Sequence, residues 1–336
     1  MLIGLTYDLR NEYLASGFGE EETAEFDRPE TIAAIEAALQ ELGHRTERIG
    51  NAKQLLKRLA RGRRWDLVFN IAEGLHGISR EAQVPTLLDL YDIPYTFSDP
   101  LVLCLALHKG LTKVLLRAAG IPTPAFAIVE QAEDIRQIKL PFPLFVKPVA
   151  EGTSKGISAA SKVTDRRSLS AICRSQLQRF HQPVLVECFL PGREFTVGIT
   201  GTGREAEVLG TMEILLLPQA EAEVYSYHNK ENYKELVRYR RVRPEEEPLI
   251  GRVEEIALQA WRALGCRDGG RVDIRCDALG EPNFMELNPL PGLHPENSDL
   301  PIICGFVGIS YVELIERVLR SACKRLPAKA SATATV

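Results

Sequence analysis

The chain has 336 residues, 45% of them hydrophobic, with 41 Lys and Arg against 45 Asp and Glu and a net charge of −4. That composition can bury about two or three domains, and so small a charge excess gives no electrostatic footprint for a nucleic-acid or membrane partner. Seven scattered cysteines without a CxxC pair argue against a disulfide framework or zinc ribbon, and for buried thiols in a reducing cytosol.

MLIGLTYDLR is charged within ten residues, so it reads as a first strand rather than a signal peptide. No apolar run reaches transmembrane length, and a cytoplasmic globular protein is expected. FDRPETIAAIEAALQELGH predicts a helix with Ile32, Ile35, Leu39 and Leu42 on one face. Asp27 and Glu30 have capping-box spacing, and Gly43 ends the helix. The acidic stretch 11–25 before it is long for a βα loop. WDLVFNI is another strand, and QVPTLLDLYD a shorter helix. This alternation implies an open parallel α/β sheet over residues 1–103.

A second unit, 104–190, opens with the helix LALHKGLTKVLLRAAG and continues through the strand PLFVKPV, a Gly-rich turn, a helix and the strand PVLVECF. A third, 191–325, is mostly strands, with helices at 245–264 and 310–323. Leu314, Ile315, Val318 and Leu319 read as packing, as do Trp65 and Trp261. The tail 326–336 is small and polar and is expected to fray.

RVDIRCDALGEPNFMELN reads as a hairpin folded about Leu279 and Gly280, placing Asp273 opposite Glu286 and Arg271 opposite Asn288. Facing carboxylates repel. Two readings stand side by side: a hard-oxygen cluster for Mg²⁺, or a salt-bridge network with Arg271 and Arg275. VKPVAEGTSKGI follows Lys147 with Gly152-Thr153-Ser154-Lys155-Gly156 and a return strand. It lacks the GxxxxGK[ST] pattern, yet a Gly-rich turn can fold over phosphates with its N–H groups, or be an ordinary hairpin turn. Lys109 and Lys113 lie one helical turn apart.

Taken in order, IPYTFSDP, GIPTP, PLFVKPVAEGTSKGIS, VLVECFLPGREFTVG, GEPNFMELNPLPG and GISYVELIERVL resemble the ATP-grasp superfamily and, within it, the D-alanine–D-alanine ligases. The likeness runs from about residue 66 to 322 and implies an α/β (α+β) protein of three domains, with an N-terminal open parallel-sheet domain. ATP would lie between the central and C-terminal domains. The resemblance puts Lys109 and Lys147 on the nucleotide phosphates, with Thr153 and Ser154 in the flap over them. It puts Glu187 and the backbone of Cys188, Phe189 and Leu190 on adenine, and Glu194 on ribose. Asp273, Glu286 and Asn288 would hold two Mg²⁺ ions, with Mn²⁺ as the alternative. Arg271 and the Gly292 N–H would steady the oxyanion of a tetrahedral intermediate, with Pro289 and Pro291 fixing the turn. The implied reaction forms an acyl phosphate from a carboxylate and ATP, and an amine then displaces phosphate.

Departures gather at the substrate end. The family's GG-x-S-x-E pattern is absent after the first strand, leaving Glu21, Glu22, Glu25 or Asp27 as candidate replacements. Lys230 matches the family's loop lysine, but Glu231 stands where a Tyr follows it. LHPENSDLP, with His294, Glu296, Asn297 and Ser298, replaces a segment rich in Thr, Ser and His. His76 and Glu81 lie near the family's substrate-side HG segment. An added acid at Glu231 or Glu296 would favour a cationic or amine-bearing substrate. The expected activity is therefore an ATP-dependent ligase of small amino-acid or peptide substrates with altered specificity. A true D-alanine–D-alanine ligase and an ATP-binding regulatory protein are the alternatives. A dehydrogenase is poorly supported because no G-x-G-x-x-G follows the first strand. Fold analogy suggests a homodimer.

Overall fold

The computed structural model describes residues 1–221 and 223–326. Its first sheet is parallel, with β1 (Leu2–Thr6) between β2 (Arg45–Gly50) and β3 (Leu67–Asn70). The sheet is covered on both faces, which is why its strands carry apolar runs rather than strict alternation. Ile3, Leu5 and Phe69 pack against Ile32, Ile35 and Leu39 of the helix Pro29–Glu41. Val68 and Trp65 pack on the other side, against Leu55, Leu59, Val84 and Leu88. The helix Tyr311–Cys323 returns from the far end of the chain to join the first cluster through Leu314, Ile315, Val318 and Leu319. Trp65 and Trp261 are both core residues.

Two local expectations need correction. Stretch 11–25 is not simply a loop, because the helix Arg10–Ala15 opens it, followed by turns. Asp27 does not cap the next helix: Arg28 occupies the N-cap position without a side-chain bond, and Pro29 fixes the first helical turn. The Asp27 backbone is instead tied inward, its N–H donating to Asp8 O and its carbonyl accepting from Arg10 N.

The second sheet orders β4 (Phe126–Val129), β7 (Val184–Cys188), β5 (Leu144–Pro148) and β6 (Lys162–Val163), all antiparallel. The return strand of the Gly-rich turn is only this two-residue β6, reached after a 3₁₀ turn at Ala159–Ser161. The third sheet runs β10 (Val237–Val242), β9 (Glu207–Leu216), β8 (Glu194–Thr200), β11 (Gly269–Cys276), β12 (Pro282–Asn288). Its core includes Phe195, Val197, Val272 and Phe284 against the helix Pro248–Leu264, which starts three residues later than expected, at its proline. All seven cysteines are free thiols, four of them buried. Among the described residues no helix is long and apolar enough to cross a membrane. The tail from residue 327 lies outside the described residues.

Candidate active site

The β11–β12 hairpin places Asp273 opposite Glu286 and Arg271 opposite Asn288, with a slip in register between Asp273 and Ile274. Gly270 permits this close approach, since a Cβ there would fall 2.4 Å from Asn288 O. Asp273 Oδ1 accepts from Thr196 Oγ1 at 2.9 Å, and its Oδ2 accepts from Arg271 at 2.7 Å and Asn288 Nδ2 at 3.3 Å. Arg271 also lies 3.3 Å from Asp299. Burial pushes the Asp273 carboxyl up, to about 6, against the pull of Arg271. Burial also opposes ionisation of Glu286, but Lys109, Lys147 and Arg271 outweigh it and hold that group at about 2.

Behind this pair lies a buried triad. Glu187 is 0% exposed and pairs with Lys113 at 3.0 Å and Lys147 at 2.9 Å. Lys113 also donates to Thr123 Oγ1 and Phe284 O, both at 3.1 Å. Burial, with Lys147 as a second cation nearby, lowers Lys113 to about 8 despite Glu187. Lys109 donates to Glu151 O at 2.6 Å and approaches Glu286 at 3.5 Å.

The flap is clamped to the N-terminal unit by Glu25. Its carboxylate accepts from Gly152 N at 2.7 Å and Lys155 Nζ at 2.8 Å, and pairs with Arg80 at 3.1 Å. Arg80 in turn donates to Ala150 O at 2.8 Å. A Cβ on Gly152 would meet Glu25 Oε1 at 2.2 Å, so only glycine fits beneath the carboxylate. Thr153 and Ser154 both take left-handed φ, 48° and 56°, and Ser154 Oγ donates to Tyr225 O at 3.1 Å. The segment carrying Lys230 therefore closes against the flap.

Part of each cluster borders one cavity of about 540 Å³, lined among others by Glu25, Lys109, Gly152, Thr153 and Lys230. Lys109, Arg271, Glu286, Asn288 and Gly292 face its reacting end, and Asp27, Glu73 and Glu81 its N-terminal end. Gly292 makes the turn possible: a Cβ would approach Ser298 Oγ to 2.9 Å. Ser298 Oγ accepts from His294 N at 2.9 Å, while His294 Nδ1 accepts from the backbone N–H groups of Glu296 and Asn297.

Residues 115–320 match the family described as D-ala D-ala ligase C-terminus. The chain is 35% identical over 264 residues to the D-alanine–D-alanine ligase of Bordetella avium, covering 76% of this chain and 80% of that protein. The chain belongs to the D-alanine–D-alanine ligase family. This ATP-grasp ligase is also 34% identical over 305 residues to protein y4sG of Sinorhizobium fredii, with 87% of each chain covered. Its fold matches the Bacillus anthracis D-alanine–D-alanine ligase crystallised with ATP at a TM-score of 0.72 and 23% identity, over 96% and 98% of the two chains.

Of the ligase residues singled out from sequence, Glu81, Lys109, Thr153, Lys230, Glu231, Arg271, Glu286, Asn288, Gly292, Asn297 and Ser298 line the cavity. Asp273 sits just beneath it, bound to Arg271 and Asn288. His76 is exposed, and Glu296 meets the site through its backbone, its N–H donating to His294 Nδ1 at 3.2 Å and its carbonyl accepting from Tyr233 at 3.4 Å. Glu187 and Lys147 face each other rather than the cavity. Phe189 packs with Phe145 and Val224, and Arg275 lies over its ring while pairing with Glu194 at 3.1 Å. Cys188 and Leu190 flank Phe189 without lining the cavity. Sequence reasoning missed Arg80, Lys155, Asp299 and Tyr233. Their partners lie far along the chain, as with the 130 residues between Lys155 and Glu25.

Proposed function

We propose that this ligase joins two amino acids, or an amino acid and a related amine, releasing ADP and phosphate, with a preference other than D-alanine dimerisation. The observation that carries the reading is the convergence of Lys109, Arg271, Glu286, Asn288 and the Gly292 backbone on a single cavity. One substrate carboxylate attacks the γ-phosphate of ATP and ADP departs. The amine of the second substrate then attacks the acyl carbon, phosphate leaves and the ammonium proton is lost.

Both steps gather negative charge on oxygens, and fixed cations and N–H donors stabilise such charge most effectively. Lys109 supplies a cation within the cavity, and Lys230, paired with no carboxylate among the described residues, supplies another. Arg271, held by Asp273 and Asp299, presents its remaining donors to the reacting carbon's oxygen. The Gly292 N–H makes no backbone hydrogen bond among the described residues and is free to join it. Thr153 and Ser154 hold the flap over the phosphates.

Asp273, Glu286 and Asn288 form an all-oxygen donor set that suits Mg²⁺. Among the described residues no three His, Cys, Asp or Glu side chains form a metal cluster, and this set has two carboxylates and one amide. Mg²⁺ held there would neutralise phosphate charge. Mn²⁺ is the alternative ion. The same reading takes Glu187 and residues 188–190 to the adenine and Glu194 to the ribose once the Phe189 cluster opens. It also takes the protein to be a cytoplasmic homodimer.

The test is ADP release with ATP and Mg²⁺ against single and paired D- and L-amino acids, with mass detection of products. A dipeptide from a pair other than D-alanine supports the reading, and D-alanyl-D-alanine as the dominant product refutes the altered preference. ATP binding without ADP release under any pair would favour a regulatory protein.

A further inference from the structure

We infer that the N-terminal end of the cavity is an organic-cation subsite, and that one substrate is a basic amino acid or diamine whose additional ammonium or guanidinium lies against Asp27, Glu73 and Glu81. This rests on the ligase reading above.

Glu81 is 8% exposed and lines the cavity, yet among the described residues it accepts no hydrogen bond and joins no ion pair. Glu73 and Asp27 line the same cavity, and among the described residues neither joins an ion pair. Beside the Asp27 carboxyl, the Thr31 hydroxyl opposes its rise without supplying a charge. The nearby cations are already engaged. Arg80 and Lys155 hold Glu25, Lys155 also holds Glu151 at 2.6 Å, and Arg10 is bound to Glu20. Arg28 also borders the cavity but is exposed, and among the described residues it joins no ion pair.

Desolvated carboxylates without counter-charges are unfavourable, and they recover stability by taking a proton or a cation. Burial, then repulsion from Asp8, raises Asp27 to about 8, and burial with repulsion from Glu25 raises Glu81 to about 7 even though Arg80, Lys109 and Lys155 stand near enough to oppose it. Burial and repulsion from Glu81 likewise raise Glu73. Asp8 itself is satisfied by Tyr13 and by Gly74 N at 2.8 Å. A single inorganic ion does not account for the wall, because among the described residues no three such side chains converge as metal ligands. One α-ammonium answers a single negative charge, so three such carboxyls leave room for a further cationic group. An extended cation with more than one donor group matches a charge spread along a wall.

Calorimetric titration of the full chain with Mg²⁺ and a non-hydrolysable ATP analogue tests this. The ligands are both enantiomers of ornithine, lysine and arginine, with norvaline, norleucine and alanine as uncharged controls. The basic set should bind at least about tenfold tighter than its uncharged counterparts. Glu81→Gln and Glu73→Gln should each reduce that advantage while leaving norleucine unaffected, and melting profiles will show that either variant folds. Equal affinities for basic and uncharged ligands, or equal losses for both in the variants, would overturn the subsite. If amide products form only from uncharged pairs, the subsite fails and the ligase reading stands. If basic ligands bind tightly while no pair releases ADP, the ligase reading fails and the subsite stands.

Discussion

Asp273 faces Glu286 across the β11–β12 ladder, and the register slips immediately beyond Asp273. Two carboxylates in this relation destabilise a hairpin unless cations answer them. Here Arg271 answers one, and Lys109 approaches the other at 3.5 Å. Converting either acid to its amide, Asp273→Asn or Glu286→Gln, should lower ADP-forming turnover about 10²–10³-fold and shift its Mg²⁺ requirement upward. Initial rates over a Mg²⁺ series check this. An unchanged Mg²⁺ profile in both variants would leave the pair a purely structural one.

The Lys113–Glu187–Lys147 triad should behave as a structural unit. Lys113→Met leaves Glu187 with one cation and strands the Thr123 and Phe284 acceptors. Breaking a buried pair typically costs about 3–5 kcal/mol. Glu187→Gln should cost more, because it leaves two buried ammonium groups without their counter-ion. Urea midpoints of the two variants give the order, and a smaller loss for Glu187→Gln would contradict it.

Flap closure should depend on Gly152. Gly152→Ala places a methyl on Glu25 Oε1, and must displace either the flap or the carboxylate. Loss of the Glu25 contacts to Lys155 and Arg80 should follow. Limited proteolysis should then cut within 150–161 several-fold faster than in the parent, at about 10-fold for each 1.4 kcal/mol of lost clamp energy. Equal cleavage rates would show that Glu25 does not hold the flap.

Asp27 predicts a pH dependence with a definite sign. Its carboxyl is raised from 3.8 to about 8 by burial and then by Asp8, so the folded protein binds this proton more tightly than the unfolded chain does. The stabilisation is complete below about pH 4 and is lost as pH rises toward about 8. Glu25, held at about 2 by Arg80 and Lys155 against burial, acts oppositely, losing its contribution only as pH falls from 4.5 toward 2. Asp27→Asn should flatten the parent's decline in melting temperature between pH 5 and pH 8. An undiminished slope would contradict the assignment.

The pairing of Asp273 with Glu286 was legible because a hairpin is local. Symmetry about Leu279 and Gly280 suffices to set Asp273 against Glu286, and only the slip at Ile274 escapes it. The open parallel character of the first sheet was likewise legible from its alternating elements, whereas its strand Arg45–Gly50 and the helix Ala52–Ala60 were not. What sequence could not reveal was long-range charge matching. The flap clamp at Glu25 depends on Arg80, 55 residues away, and on Lys155, 130 away. The Asp27–Glu30 spacing misled for a related reason. Pro29 starts the helix unaided, and tertiary contacts draw Asp27 toward the cavity.

The central claim, that a substrate carboxylate is phosphorylated before an amine attacks, is tested most directly with an amino acid carrying ¹⁸O in its carboxylate. Incubation with ATP, Mg²⁺ and the amine partner should deliver one ¹⁸O from each turnover into the released phosphate, read by mass spectrometry. Phosphate free of label, with all ¹⁸O retained in unreacted amino acid or in product, would contradict an acyl-phosphate route and with it the roles given to Arg271 and Gly292.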